Sequence, residues 1–243
     1  MSEYFFTYDG ICSLDFGIKI KGDNALSSPE RNFEEIEVPG RNGSVFIDGG
    51  NYKNKVIDIE CNVDMRDEDI YSLASRMTKW LKEDMAYKEL ILSDDSDYYY
   101  EAVCINKIDF IEMLKGYYSL LISFSCKPLK KRKSESVTCT PVGAIEIYND
   151  GEEAEPIIKV TCVDYDVNVS VYINENIYNF KNVNGEFCIN SEMMNVYKIG
   201  ELKDENYNHK MENINFPVLK SGLNIISCHN CKKIEINPNF KYL

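Results

Sequence analysis

Long hydrophobic runs and a secretory signal are both missing from this sequence of 243 residues. A helix needs ~18–20 consecutive apolar residues to span a bilayer, and no stretch of the chain approaches that length. The sequence therefore excludes a membrane-spanning helix. Residues 1–9 contain neither a basic start nor a long apolar segment, so they do not resemble a secretory signal. We expect a protein that stays in the cytoplasm of the cell that makes it.

Residues and motifs that carry catalysis are also scarce. Histidine occurs only twice, which leaves little scope for a His-activated nucleophile. Neither a Gly-x-Ser-x-Gly elbow nor a His-Glu-x-x-His zinc motif is present. Cys228-His229-Asn230-Cys231 resembles half of a zinc site, but no second Cys or His pair at zinc-finger spacing completes it. It also lies at a predicted hairpin tip between strands 223–226 and 234–236, not at the helix start typical of redox sites. The sequence predicts no enzyme, no metal and no cofactor.

Two turn-like segments resemble ligand sites without meeting their requirements. Asp94-Asp95-Ser96-Asp97 offers three carboxylates, whereas calcium takes six or more oxygen ligands. Gly40-Arg41-Asn42-Gly43 resembles a phosphate loop, but such loops lead into a helix, and Ser44-Val45-Phe46-Ile47 is typical of a strand. Both segments are predicted to be turns between strands.

Positive charge is in deficit, because 27 Lys and Arg face 40 Asp and Glu, for a net charge of −13. Both halves of the chain are acidic, so neither offers the broad positive field that neutralises phosphates. We expect no nucleic-acid partner and no membrane partner. The basic run Lys130-Lys131-Arg132-Lys133 is interpreted as part of a solvated connector.

Apolar residues and cysteines, by contrast, are plentiful. The hydrophobic fraction of 44% excludes a disordered chain, since that much apolar surface offsets the ordering entropy. Nine cysteines, an odd number and mostly dispersed singly, favour reduced buried thiols over a disulfide framework.

The apolar periodicity predicts a mainly β protein with one helix in its first half. Alternation over 57–63 and 118–126 predicts two half-buried antiparallel strands. Helical spacing between roughly Glu68 and Lys82 predicts a helix with Asp67 as its N-cap and Trp80 on the core-facing stripe. The N-terminal domain, 1–130, is therefore predicted to be an antiparallel β domain with one packed α-helix.

The second half is almost wholly strand-like and predicts a separate β-sandwich. Polar residues 131–141 are predicted to be a linker, and residues 142–243 the sandwich domain. Asn184-Gly185 is a dipeptide that two-residue hairpins prefer, which predicts a hairpin there.

Several segments resemble one known family in their order and spacing. In the first half these are Asp9-Gly10, 14–18, 38–45, 48–52, 57–63, 80–81, 94–100 and 124–128. In the second half they are 149–151, 154–157 and 216–224. Together they resemble the distal tail protein family of siphophages. Asp150 departs from that family's plain Asn-Gly pair, which leaves the resemblance intact.

The resemblance implies a structural protein of the virion tail tip, made in the bacterial host cytoplasm. It implies a homohexameric ring whose N-terminal domains join the tail tube protein to the tip hub protein. The C-terminal domain is then a galectin-like β-sandwich that holds receptor-binding or baseplate proteins. A ring-interface region is expected at Gly40, Arg41, Asn42, Gly43, Asp48 and Tyr52. The particle is left open among an infectious phage, a defective prophage and a bacteriocin-like tail.

Two other functions remain open at this point. A carbohydrate-binding β-sandwich module is favoured by the second half's fold and tyrosines, although that half has no tryptophan. A cell-wall hydrolase is favoured only by the abundance of acidic residues, which by itself does not indicate a paired catalytic site.

Overall fold

The chain divides into two compact units, each built mainly of β-strands. The computed structural model describes residues 3–22, 28–64, 69–133, 136–139, 143–200 and 203–243. The first unit is Met1–Lys130 together with Leu243, and the second is Lys131–Tyr242. The described residues form one α-helix, in the first unit, short 3-10 helices at Ser13–Phe16 and Asn208–Lys210, and antiparallel strands. This confirms the predicted mainly β fold class with one helix.

The first unit is a curved antiparallel sheet that carries one helix. Its elements are β1 (Phe6–Tyr8), β2 (Ile11–Cys12), β3 (Ile18–Ile20), β4 (Arg31–Glu37), β5 (Ser44–Tyr52), β6 (Lys55–Asp64), α1 (Ile70–Leu81), β7 (Lys88–Leu92), β8 (Tyr98–Cys104), β9 (Ile111–Leu114) and β10 (Tyr117–Cys126). The main sheet has the order β2-β1-β7-β8-β10-β6-β3, and β9 pairs with β10. β4 and β5 form a separate two-stranded sheet.

The two strands predicted from alternation lie side by side in this sheet. β6 and β10 pair antiparallel along their whole lengths, with Ile59 opposite Ile122. Both of these side chains are fully buried. The Asp94–Asp97 run joins β7 and β8, which pair with Leu90 opposite Tyr100, so the hairpin predicted there is confirmed.

The helix closes the core of the first unit through its apolar stripe. It buries Leu73, Met77, Trp80 and Leu81. The Trp80 indole stacks on Phe16 at a centroid distance of 4.6 Å and donates a hydrogen bond to the Tyr8 carbonyl at 3.0 Å. The predicted core role of this tryptophan is confirmed.

The start of the helix differs from the sequence prediction. The N-cap is Asp69, whose carboxylate accepts hydrogen bonds from the backbone N–H groups of Tyr71 and Ser72. The predicted cap, Asp67, lies outside the described residues, as does Glu68. Two aspartates two positions apart offer the same capping chemistry, so the local pattern did not determine which one is used.

The second unit consists of two facing antiparallel sheets. Its strands are β11 (Lys130–Arg132), β12 (Val137–Cys139), β13 (Ile145–Asn149), β14 (Ile157–Cys162), β15 (Val167–Ile173), β16 (Asn176–Val183), β17 (Glu186–Asn190), β18 (Asn195–Lys198), β19 (Glu205–Asn206), β20 (Gly222–His229), β21 (Cys231–Asn237) and β22 (Lys241–Tyr242). One sheet has the order β12-β21-β14-β17-β18-β19 and the other β13-β20-β15-β16. Buried residues from both sheets form a single core cluster.

Two predicted hairpins in this unit are wrong. β16 and β17 flank Asn184-Gly185, and β20 and β21 flank Asn230, but in each case the two strands belong to opposite sheets. The short connections are therefore arches across the sandwich. Tight-turn residues permit a sharp change of direction, but they do not determine whether the next strand pairs or crosses to the other layer.

The segment 131–141, predicted to be a solvated linker, contains strands where it is described. β11 pairs with β22, and β12 pairs with β21. Lys131 is 5% exposed, and its ammonium lies 2.8 Å from a Glu192 carboxylate oxygen. A basic residue is buried here because a carboxylate compensates its charge.

Among the cysteines whose side chains the structure describes, all but one pair are free thiols, as the sequence predicts. Free thiols are present at Cys12, Cys61, Cys104, Cys126, Cys162 and Cys188. Burial raises the pKa of Cys61 and of Cys126 to about 12, which leaves both thiols protonated. Cys228 and Cys231, expected to be reduced, form a disulfide instead. They lie at the ends of β20 and β21, where the arch brings their Cα atoms within 6.2 Å.

Candidate assembly interface

The most unusual surface of the first unit is the hairpin formed by β4 and β5, here called the β4–β5 arm. Its strands pair antiparallel from Arg31 opposite Tyr52 at the base to Glu37 opposite Ser44 at the tip. Seven residues at ~3.3 Å each give the arm a length of roughly 20 Å. An isolated two-stranded hairpin is only marginally stable in water, so this arm needs either local reinforcement or a partner surface.

The tip of the arm is the predicted turn Gly40-Arg41-Asn42-Gly43. Gly40 and Gly43 have φ values of 80° and 83°, in the left-handed region that favours glycine. The Arg41 N–H donates to the Val38 carbonyl at 3.1 Å. The structure confirms a turn between strands here, and all four residues of the turn are exposed.

The base of the arm joins the other two predicted residues, Asp48 and Tyr52, through an arginine that sequence reasoning did not single out. Arg31 donates to both Asp48 carboxylate oxygens, at 3.0 and 2.5 Å, and to the Tyr52 hydroxyl at 3.4 Å. Its guanidinium also lies 5.5 Å from the Tyr52 ring centroid. This two-pronged geometry is the strongest form of an arginine–carboxylate contact.

Electrostatics at the base reinforce this geometry. Hydrogen bonding from Arg31, followed by the backbone N–H of Gly50, lowers the pKa of Asp48 to about 2. The same contact raises the pKa of Arg31. Both groups are charged at neutral pH, so an exposed ion pair joins the two strands of the arm near its base.

A bulge beside this ion pair depends on two glycines. The pairing register shifts between Arg31 and Phe33. A Cβ on Gly49 would approach the Asn32 carbonyl oxygen to 2.9 Å, and Gly50 has a φ of 72°. Bulges bend a strand and increase its twist, and these two glycines allow the backbone to form one here.

Both faces of the arm present apolar side chains to solvent. Phe33 and Phe46 share one face and contact edge-to-face at 5.3 Å, although Phe46 remains 62% exposed. The other face presents Ile36, Val45 and Ile47, all exposed. The apolar residues Phe33 and Ile36 and the apolar run at 45–47 carried this signal, but they did not show whether another layer of the chain covers the arm.

Metal-ligating side chains are not clustered within the described residues. These residues contain no group of three or more His, Cys, Asp or Glu side chains placed to hold a metal ion. None of the described helices is long and apolar enough to cross a membrane. Apolar contact surface, not a chemical centre, is therefore the feature that most distinguishes the arm.

A protein-family model matches most of the first unit. Residues 13–126 match the family model of the phage tail protein RIFT-related domain. The arm lies within these matched residues, and the predicted resemblance to siphophage distal tail proteins is confirmed.

Solved structures share the fold along the whole chain. The Dit protein (gp 19.1) of phage SPP1, described as a paradigm of the hub adsorption apparatus in phages that infect Gram-positive hosts, matches with a TM-score of 0.75 and 14% identity, covering 99% of both chains. Chains from the phage P2 baseplate in its activated conformation with Ca and with Sr match with TM-scores of 0.59 and 10% identity. These cover 100% and 98% of this chain, and 99% of each matched chain. Such low identities establish the fold alone. No curated protein sequence matches the chain.

Proposed function

We propose that this chain is a non-enzymatic structural component of the tail tip or baseplate of a long-tailed phage or phage-like particle. Its copies form a homohexameric ring that joins the tail tube to the tip hub and anchors receptor-binding proteins. The observation that carries this proposal is the tail-domain match at 13–126, together with a fold shared over 99% of both chains with a phage hub protein.

The β4–β5 arm supports assembly as the role of the tail domain. A strand pair that is apolar on both faces is typical of a buried element, yet Phe46 and Ile47 are 62% and 49% exposed in the single chain. A neighbouring copy that covers the arm would remove this apolar surface from water. We therefore assign the ring interface to the arm, including Gly40, Arg41, Asn42 and Gly43 at its tip and Asp48 and Tyr52 towards its base.

The second unit offers a different surface, suited to attaching other tail proteins. Outward-facing residues on β13 and β20 include Tyr148, directly opposite Leu223, and Ile225, all exposed. The inward-facing neighbours Ile147 and Ile226 are buried, so this sheet is apolar on both faces. We propose that the outer face binds a receptor-binding or baseplate protein.

Immunogold labelling of intact particles tests the proposed location. An antibody raised against the purified chain is expected to label the distal end of the tail of phage-like particles from cells that encode it. Labelling of the particle head, or the absence of the chain from purified particles that contain the neighbouring tail proteins, would overturn the proposal.

A further inference from the structure

The first unit also has a concave groove, whereas the β4–β5 arm is a protruding hairpin. It has a volume of about 450 Å³ and lies where β6 and β9 end and β10 begins. Its lining residues include the apolar Met113, Leu114 and Tyr117 and the charged Lys19 and Asp64. We call it the β9–β10 groove. Its volume is within the ~300–1,000 Å³ range of sites that bury apolar groups.

The apolar residues of the groove do not contribute to the core of the first unit, because they lie on an exposed edge strand. All four residues of β9 are exposed, including Leu114 at 71% and Met113 at 65%. β9 pairs only with β10 among the described strands, so its other edge is open. An apolar edge strand left uncovered is an association hazard that proteins normally avoid, which indicates that another surface covers this one.

We propose that the β9–β10 groove receives the β4–β5 arm of a second copy of this chain. This inference rests on the proposed ring. Closing a ring of identical copies by head-to-tail contacts requires two different, complementary surfaces on each copy. The tail domain presents such a pair, namely an arm with aromatic side chains on the outside and a concave groove lined with apolar side chains.

Charge complementarity favours the same pairing. Glu34, Glu35 and Glu37 lie along β4, and within the described residues none of them forms an ion pair. Lys115, in the turn next to Leu114, likewise forms none in the described part of the chain. Docking the arm with its carboxylates towards Lys115 of the next copy, and away from Asp64 and Glu112 at the groove, gives the rim charges that favour correct docking.

Photocrosslinking in the full-length chain tests which surface the arm contacts. The photoreactive residue p-benzoylphenylalanine replaces Phe46, the purified protein is irradiated, and the crosslinked peptides are identified by mass spectrometry. We expect crosslinks between copies to residues 111–118. Intermolecular crosslinks confined to other segments, or none at all, would overturn the inference.

Two charge substitutions separate this inference from the proposed function. Phe46→Glu and Leu114→Glu are both expected to reduce the assembled fraction at least tenfold, while Tyr71→Glu, at an 83% exposed site on the helix, leaves it unchanged. If Phe46→Glu disrupts assembly and Leu114→Glu does not, the groove is not the receiving surface and the ring proposal stands. If neither variant changes assembly, the arm is not the ring interface and the groove does not receive it.

Discussion

Truncation of Phe46 provides the most direct measure of how much the arm contributes to assembly. The side chain is 62% exposed in the single chain. Because a phenylalanine offers about 200 Å² of surface, roughly 120 Å² of it is available for a neighbouring copy to cover. At ~25 cal/mol per Å², covering it stabilises each interface by about 3 kcal/mol.

Phe46→Ala removes most of that area. We expect a loss of about 2–3 kcal/mol per interface, which corresponds to a ~30- to 150-fold weaker association. The fold of the single chain should change little, because substitutions at exposed sites usually alter stability by about 0.5 kcal/mol or less. The substitution also removes the edge-to-face contact with Phe33.

The assay combines a light-scattering dilution series with urea unfolding of the same samples. Tyr71→Ala is the matched control, since it removes an exposed aromatic ring from the helix. The reasoning would be refuted if Phe46→Ala assembled at the wild-type concentration. It would also be refuted if the single chain lost several kcal/mol of stability, because the arm would then be part of the core.

Three further predictions concern a buried hydrogen bond and two ion pairs that stabilise the two units. Trp80→Phe removes the hydrogen bond to the Tyr8 carbonyl and should lower the free energy of unfolding by about 1–3 kcal/mol; an unchanged urea midpoint would contradict this. Since the pKa of Asp48 is lowered to about 2, its contact with Arg31 should stabilise the arm fully above the ordinary carboxyl pKa and be lost as the pH falls towards 2. An NMR titration of the Asp48 carboxyl carbon checks this, and an ordinary pKa would contradict it. Burial alone would raise the pKa of Glu192, but hydrogen bonding and charge from Lys131 outweigh it and lower the pKa. Glu192→Gln should therefore cost about 3 kcal/mol, whereas Glu30→Gln, at the exposed pair with Lys53, should cost ~0–1 kcal/mol; equal losses would argue against a buried ion pair.

Elements with a strong local period could be predicted from the sequence. The alternation in β6 and β10 predicted their buried faces, and the helical stripe predicted which residues α1 packs, because one buried face forces a repeat of 2.0 or 3.6 residues. The hairpin at Asp94–Asp97 also followed from local turn chemistry. These features depend on neighbours within a few residues along the chain.

Features that depend on distant partners could not be predicted in the same way. The arches at Asn184-Gly185 and Asn230 have the residues of a hairpin turn, and only the two-layer packing determines that the strands separate. The burial of Lys131 depends on Glu192, 61 residues away. The disulfide between Cys228 and Cys231 likewise depends on the arch between β20 and β21. The spacing of three residues between the cysteines does not predict whether the two strands pair in one sheet or belong to opposite sheets.

The candidate interface was likewise predictable only in part from the sequence. The resemblance to distal tail proteins indicated the region from Gly40 to Tyr52, and the structure places all six predicted residues on one arm. Arg31 was missed because its link to Asp48 spans the hairpin. The apolar faces were missed because alternation identifies a strand but not whether another layer covers it.

The solution mass of the purified chain across a concentration series tests the central claim most directly. The proposed ring predicts a mass approaching six times 28.0 kDa at high concentration, with annular particles in negative stain. A mass of one chain at every concentration, both alone and after co-expression with the neighbouring tail proteins, would contradict the account.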